Sequence, residues 1–403
     1  MAEPHASTDL VIVGGGPVGA ALALALADGA RAITVIEAQA RPPVGDTRAT
    51  ALSESSVRLL DALGVWPELA GDAVAIHTVE VSQQGHYGRT RMRAQDQGVR
   101  ALGQVVAYDA LARGLAEHAR GAPGVEWLAP ATVAGIDQDA DGVSLAIDGP
   151  DGHNERRARL AVAADGTRSP LRERLGIGVR EYDYGQTALL LPLETGGDPH
   201  TGYERFTSEG PMALLPAGGG RRTLIWTLPP DQAEAMAALT LERIAGRIAA
   251  RLGRSFGPIV PHGPPVAWPL RRVEAERGHD GRVALLGNAA RTLHPVGAQG
   301  FNLALRDVCG LAAVLGHARD PGDAETLTAW SCARQADRWR TRLFTDVLAR
   351  GFVRGGQGLG AVRAGALLGL DSCSIARDGL AAQTMGLLGG LPRVGNWHLE
   401  RRP

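Results

Sequence analysis

Gly14, Gly16 and Gly19 complete a GxGxxG spacing inside LVIVGGGPVG, and Glu37 follows 18 residues beyond the last of them. Residues of these types at this spacing can hold an adenine dinucleotide. The first glycine permits a tight turn, the second lets the backbone approach a pyrophosphate, and the third packs a helix against a strand. A helix opening at Pro17 and Val18 aims unpaired N–H groups and a positive dipole end at the phosphates. Glu37 stands where an acid binds the hydroxyl pair of a ribose. A lone GxGxxG means little in a chain with 54 glycines. Its context gives it weight: an apolar strand before it (Leu10–Val13), a small-residue helix after it, and a second strand (Ala32–Ile36) ending on the acid.

Two later segments carry further polar groups at turns. In AADGTRSPLRERLGI (163–177), Asp165-Gly166 precedes Ser169 and Arg172. That pair fits a plain tight turn or a ligand-facing one. In VALLGNAARTLHPVGAQGFNLALRD (283–307), Gly287-Asn288 follows a buried strand. His294-Pro295 then leads into a Gly-rich loop, Val296–Gly300, with Phe301 and Asn302 opening a helix. The N–H groups of Gly297, Gln299, Gly300 and Asn302, with the helix dipole, favour negative charge beside them. His294 fits a general base or a His-Pro turn that shapes a pocket.

The elements that must position these groups read as an α/β chain. Glu54–Leu63 and Tyr108–Arg120 have helical periodicity, and Ala75–Arg93 alternates as strands do. Val125–Ala129, Thr132–Gln138 and Val143–Ile147 read as a three-strand antiparallel piece, and Leu160–Ala164 as a short buried strand. Gln186–Glu194, Thr201–Ser208, Met212–Pro216 and Arg222–Leu228 alternate as sheet strands, closed by one helix, Asp231–Leu252. The first pattern resumes at Val283–Leu286, and helices follow at Gly300–Leu315 and Glu325–Phe352. The expected organisation is therefore a dinucleotide-binding domain (1–74, 97–179, 270–353), an inserted, mainly antiparallel substrate domain (75–96, 180–269) and a helical tail (354–403). No second GxGxxG has strand context; GGQGLG (355–360) lacks a preceding strand, so a second dinucleotide has no fold of its own here.

Composition narrows the function classes. A net charge of −1 over 403 residues leaves no basic excess for a nucleic-acid partner. All 42 basic residues are Arg, which rules out Schiff-base and Walker-type lysine chemistry. Cys309, Cys332 and Cys373 have neither metal-ligand spacing nor an even count for disulfides, so a reducing cytoplasm fits and no metal site is expected. The uncharged run 10–27 is broken by three glycines, and no other stretch reaches the ~20 apolar residues of a spanning helix.

Taken together, GGGPVG with Glu37, the 163–177 segment and the 283–307 segment resemble the aromatic-ring flavoprotein monooxygenases, the group of p-hydroxybenzoate hydroxylase. RATALSESSVRLLDALGVW (48–66), LGQVV (102–106) and YERFTSEGPMALLP (203–216) narrow the resemblance to the ubiquinone-biosynthesis hydroxylases, of the kind acting on a 2-polyprenyl-6-methoxyphenol. The likeness spans about residues 9–350. It implies a Rossmann-like FAD-binding fold with an inserted antiparallel sheet, FAD as cofactor, NADPH or NADH as a visiting reductant, and dioxygen as oxidant. Ring hydroxylation through a flavin C4a-hydroperoxide follows from the same resemblance, with a prenylated phenol as substrate.

By that resemblance Glu37 holds the adenosine ribose, Arg48 with Ala49 faces the pyrophosphate, and Gln104 contacts FAD. Asp165-Gly166 lies near the pyrophosphate and influences NAD(P)H use. Where the family usually has Gly-Asp at the ribityl chain, this chain has Gly287-Asn288; Asn keeps an acceptor and a donor but loses the charge. His294, Pro295, Gly297, Gln299 and Gly300 form the catalytic loop beside the flavin pyrimidine edge.

Leu189–Leu191, Met212–Leu215 and Trp226 fit either a channel for an isoprenoid tail or ordinary sheet core. AGALLGL (364–370) with Leu380, Met385, Leu387 and Leu388 fits helix packing, a peripheral contact with the inner membrane, or a contact within a ubiquinone-biosynthesis complex. Two other functions stay open: a hydroxylase of another phenol or ring position, and a non-catalytic flavin-binding subunit. NAD(P)H-dependent oxygen uptake separates the last from the others.

Overall fold

A computed structural model of the chain describes residues 6–27, 31–46, 48–351 and 357–388. The opening strand, Ala6–Val13, lies inside a sheet whose order is His279–Asp280, Val283–Leu285, Gly152–Ala163, Ala6–Val13, Ile33–Ile36, Val125–Leu128. The opening strand runs parallel to both its neighbours. The chain leaves it toward Ile33–Ile36 on one side and returns on the other, so a crevice opens beyond its carboxyl end. Helix Pro17–Leu26 packs against helix Gln299–His317 and buries Leu22 and Leu26, each worth roughly 2 kcal/mol. Alanines at 20, 21, 23 and 25 keep this helix thin enough for close packing.

The expected antiparallel trio is corrected in one member. Val125–Leu128 pairs parallel with Ile33–Ile36, as the edge of the first sheet. It follows helix Tyr108–Gly121, and a strand reached by a helical crossover joins in parallel. The antiparallel trio is Thr132–Gln138, Val143–Gly149 and the outer half of Gly152–Ala163. That last strand has 12 residues, longer than its apolar end alone suggests.

The second sheet is ordered Arg291–Thr292, Val266–Ala275, Val179–Glu194, Arg221–Leu228, Pro211–Pro216, Thr201–Phe206, Thr78–Gln83, Arg89–Arg93. The expected boundary at 269/270 falls inside Val266–Ala275, which belongs wholly to this sheet. The expected single helix over Asp231–Leu252 is two, Pro230–Ala237 and Leu241–Leu252, because Thr240 caps the second by accepting from the Arg243 N–H at 3.5 Å. A third, small sheet joins Ala49–Ser53, Gly103–Ala107 and Val74–Ile76.

Helix Ala324–Gly351 covers Gln299–His317; Phe352, the expected end, lies outside the described residues. Of the tail, 354–356 and 389–403 also lie outside them. The remainder forms helices Gln357–Ser372 and Ser374–Thr384, packed on the strands Thr78–Gln83 and Arg89–Arg93. Thr90 donates to the Leu367 carbonyl at 2.6 Å, and Ala381 and Met385 are buried with Met92 and Leu102. Leu368, Ile375 and Leu388 face outward. No described helix is long and apolar enough to cross a membrane.

Candidate active site

The crevice beyond Val13 is a cleft of about 650 Å³ lined by the glycine turn, Glu37, Asp165-Gly166, Asn288 and the Gly300–Phe301 helix start. Its shape depends on where side chains are missing. Gly14 has φ +106°, and a Cβ there would sit 2.4 Å from the Ala164 carbonyl oxygen. One at Gly19 would meet the Gly14 carbonyl oxygen at 1.9 Å. At Gly16, by contrast, a Cβ meets nothing within 4 Å. The turn is thus closed against its own fold and open toward the cleft, which fits a pyrophosphate approaching Gly16 and the N-terminus of helix Pro17–Leu26. Pro17 at the first helical position sacrifices no hydrogen bond.

Glu37 ends its strand with both carboxylate oxygens in use: one accepts from Gly15 N–H at 2.6 Å, the other from Gln39 N–H at 2.8 Å. These fix its rotamer and leave lone pairs for ribose hydroxyls. Arg48 lines an adjoining pocket of about 310 Å³ that shares Gly16, Pro17 and Glu37 with the cleft. It pairs with Asp46 at 2.6 Å and lies 5.0 Å from the Tyr108 ring centre and 5.3 Å from that of Trp268. Hydrogen bonding from Arg48 holds the Asp46 carboxyl below its usual range. Ala49 begins the next strand, and Thr50, not Ala49, reaches the cleft. Gln104 is half-buried opposite Leu52 and Ala75 and lines neither the cleft nor the chamber described below.

In the 163–177 segment the labour divides. Asp165 and Gly166 line the cleft, while Ser169 caps the short helix by accepting from Arg172 N–H at 3.0 Å. Buried Arg172 donates to the carbonyls of Thr167 and Ala289, both at 3.0 Å, so it ties this turn to the Gly287–Ala290 turn. Burial raises the Asp165 carboxyl pKa, and Asp165 Oδ1 has no partner in the protein. An unpaired acceptor facing a cleft is what a hydroxyl-bearing ligand satisfies. Gly287 has φ +59° and abuts Val18, which places Asn288 at the cleft. The residues present fit an FAD molecule.

On the other side of the 295–302 segment lies a second, apolar chamber of about 160 Å³. Pro295, Val296, Gly297, Ala298, Gln299 and Asn302 form one wall, and the second sheet forms the opposite one through Gly202, Glu204, Ala213, Leu215 and Ile225. Gly300 and Phe301 belong to the cleft; Gln299 and Asn302 belong to the chamber. One turn of backbone therefore separates the two cavities.

That turn is unusual. Gly297 (φ +70°) and Ala298 (φ +52°) are both left-handed, and Ala298 is the one described non-glycine residue with positive φ. Asn302 braces it, donating to the Ala51 and Ala298 carbonyls at 3.0 and 2.6 Å and accepting from Ser53 N–H at 2.9 Å. Gln299 Nε2 donates to the Gly297 and Thr384 carbonyls, leaving its Oε1 unpaired. His294 lies behind the turn, in neither cavity. Its Nδ1 accepts from Val296 N–H at 3.1 Å, so the proton is assigned to Nε2, which donates to Gln186 Oε1 at 3.1 Å. Burial depresses its pKa to about 4. A neutral imidazole with both nitrogens engaged shapes the turn and offers no free base.

Sequence reasoning missed three supports. Thr384, from the tail, closes one edge of the chamber. Ser53 anchors Asn302. Asp307 sits buried among Arg291, Arg334 and Arg338 at 2.6–3.1 Å, while Asp337 pairs with Arg306 and Arg334, locking helices Gln299–His317 and Ala324–Gly351 together. Burial opposes the Asp307 charge, but the three guanidiniums hold its pKa below the usual range. The signal for this lock was Arg334, Asp337 and Arg338 at helical spacing.

Residues 7–344 match the family described as an FAD binding domain. The chain is 37% identical over 359 residues to ubiquinone hydroxylase UbiL of Rhodospirillum rubrum, covering 85% of this chain and 81% of the relative. It is 32% identical to the 3-demethoxyubiquinol 3-hydroxylase of Escherichia coli, covering 86% and 90%. The fold is shared with p-nitrophenol 4-monooxygenase PnpA from Pseudomonas putida, with a TM-score of 0.77 at 19% identity over 94% of this chain and 98% of that one. Cleft, chamber and match define an FAD-dependent aromatic monooxygenase. Within that class, the chain belongs to the family of ubiquinone-biosynthesis hydroxylases.

Proposed function

We propose that the protein hydroxylates the ring of a polyprenylated methoxyphenol on the way to ubiquinone, using NAD(P)H and dioxygen. The observation that carries this reading is the single turn of backbone between a dinucleotide cleft and an apolar, ring-sized chamber. FAD, when bound, accepts reducing equivalents and activates dioxygen; the rest is the work of this chain.

Gly14, Gly16 and the helix start at Pro17–Val18 would hold the pyrophosphate and Glu37 the adenosine ribose, while Gly19 only lets that helix pack against the turn; Arg48 would supply a fixed cation from the adjoining pocket. Asp165 and Asn288 receive the hydroxyl-rich middle of the cofactor. The N–H groups of the left-handed turn at Gly297–Ala298 and of the helix start at Gly300–Asn302 stabilise negative charge at the reactive end. Ile76, Val79, Met92, Leu102, Leu215 and Ile225 exclude water from the chamber and orient the ring.

The relatives' names support the ubiquinone reading. Deleting the gene and identifying the quinone precursor that accumulates tests it. A prenylphenol lacking one ring oxygen is expected; unchanged quinone levels refute it.

A further inference from the structure

Glu204 is the one charged residue among those lining the chamber, where its neighbours are otherwise apolar or neutral. Strand Thr201–Phe206 places it there by alternation. Tyr203 and Arg205 point to the opposite face, where Tyr203 packs on Phe256 and Arg205 donates to the Arg251 carbonyl at 2.8 Å. Across the strands, Glu204 is flanked by Ala213 on one side and Val81 on the other, and neither offers a hydrogen bond. Glu80 and Arg91, on the adjacent strands, pair with each other at 2.6 Å. From the opposite wall come Ser53, Gln299, Asn302 and Thr384, all neutral. The Tyr203 hydroxyl is turned away on the other face, where it accepts from Asp198 N–H at 3.0 Å. Among the described residues Glu204 has neither an ion-pair nor a hydrogen-bond partner.

A carboxyl placed in an apolar chamber without a partner is costly, and a fold gains nothing from it. A ligand that brings its own hydroxyl resolves the cost. We infer that the Glu204 carboxylate receives the phenolic proton of the ring held in the chamber, and so is a catalytic residue of the hydroxylation. The inference rests on the ring-hydroxylase reading above and assigns a residue to its proton step.

The phenolic O–H bond breaks, the proton goes to a Glu204 oxygen, and the electron pair stays on the phenol oxygen. That pair raises electron density at the ring carbon which accepts the oxygen atom supplied from dioxygen at the cofactor. When the ring loses its hydrogen to water and becomes aromatic again, Glu204 returns its proton to the phenol oxygen. Burial alone raises the Glu204 pKa to about 7, so the carboxyl can both take and return a proton near neutrality.

The test uses the FAD-loaded protein with 2-methoxyphenol and its prenylated form. E204Q keeps the side-chain volume and is expected to lose on the order of a hundredfold in hydroxylation kcat, with flavin content unchanged. The acid limb of the kcat profile near pH 7 disappears with it, and E204D restores part of the rate. Equal rates and an unchanged pH profile in E204Q overturn the inference.

Infrared titration of the wild-type carboxyl supplies a readout apart from turnover. The protonated carboxyl band, absent from E204Q, is expected to titrate near pH 7 and to shift when 2-methoxyphenol binds. A band unmoved by the phenol overturns the inference even if E204Q fails to fold. If the wild type binds the phenol with that shift yet never hydroxylates any phenol, the ring-hydroxylase reading fails and the proton contact stands.

Discussion

The cleft and the chamber share one wall but are built by opposite rules. The cleft is made by backbone: glycines forced by collisions, helix starts, and polar side chains held by N–H groups. The chamber is made by the register of a sheet, in which every second side chain faces the ring and the others face helices Pro230–Ala237 and Leu241–Leu252. A cofactor common to many proteins is bound by local motifs. A substrate is recognised by a surface that exists only after distant strands have paired.

The sharpest way to break the cleft side is Gly14→Ala. The φ of +106° costs about 1–3 kcal/mol for a residue with a Cβ, and the 2.4 Å approach to the Ala164 oxygen adds to it. Protein purified from this variant is expected to lack flavin absorbance, whereas a normally yellow product refutes the backbone account of the cleft.

The chamber side is sharpened by two residues on opposite faces of the sheet, Leu191 and Ala213. Leu191 is buried in the core facing the helices. Leu191→Ala is expected to lose about 2–5 kcal/mol in denaturant unfolding. Its KM for the prenylated phenol should stay unchanged.

The shared wall makes a pH prediction. His294 has a folded pKa of about 4, below its ordinary 6.5, so the folded state favours the neutral ring. Its contribution is complete above pH 6.5 and is lost as pH falls toward 4, by about 3 kcal/mol in total. His294→Gln should flatten that part of the stability profile. An unaltered acid-side slope contradicts the buried, neutral imidazole.

The smallest effect belongs to Ala213, which faces the chamber. Ala213→Leu fills space beside the ring and is expected to raise KM about tenfold, or about 1.4 kcal/mol, with flavin content unchanged. A rise in KM from Leu191→Ala but not from Ala213→Leu would reverse the assignment of faces.

The same division explains what was legible in the sequence. Gly14, Gly16, Gly19 and Glu37 lie within 24 residues, and their spacing encodes their geometry without help from the rest of the chain. Asp165-Gly166 and Gly287-Asn288 carry less by themselves: the first pair fits a plain tight turn equally well, and the role of the second comes only from the family resemblance. Met212–Leu215 shows the limit. The residues that fit either a channel or sheet core divide by register: Ala213 and Leu215 line the chamber, while Met212 and Leu214, with Leu189, Leu191 and Trp226, fill the core under the helices. Alternation was visible, but which phase faced the ring depended on two helices folding over the other side.

Val125–Leu128 was misread for a related reason, since a four-residue strand carries no mark of its partner's direction. Of the tail's readings, packing is what its described part displays at Ala364, Leu367, Ala381 and Met385, and Thr384 reaches the chamber from there. Only the folded chain brings residue 384 beside residue 299.

Oxygen transfer across the 295–302 wall is the central claim. It is tested most directly by incubating the FAD-loaded protein with NAD(P)H, a prenylated methoxyphenol and isotopically labelled dioxygen, then weighing the product by mass spectrometry. The account predicts one labelled oxygen on the ring for each product molecule. Label found only in hydrogen peroxide or water, with the phenol recovered unchanged, contradicts it.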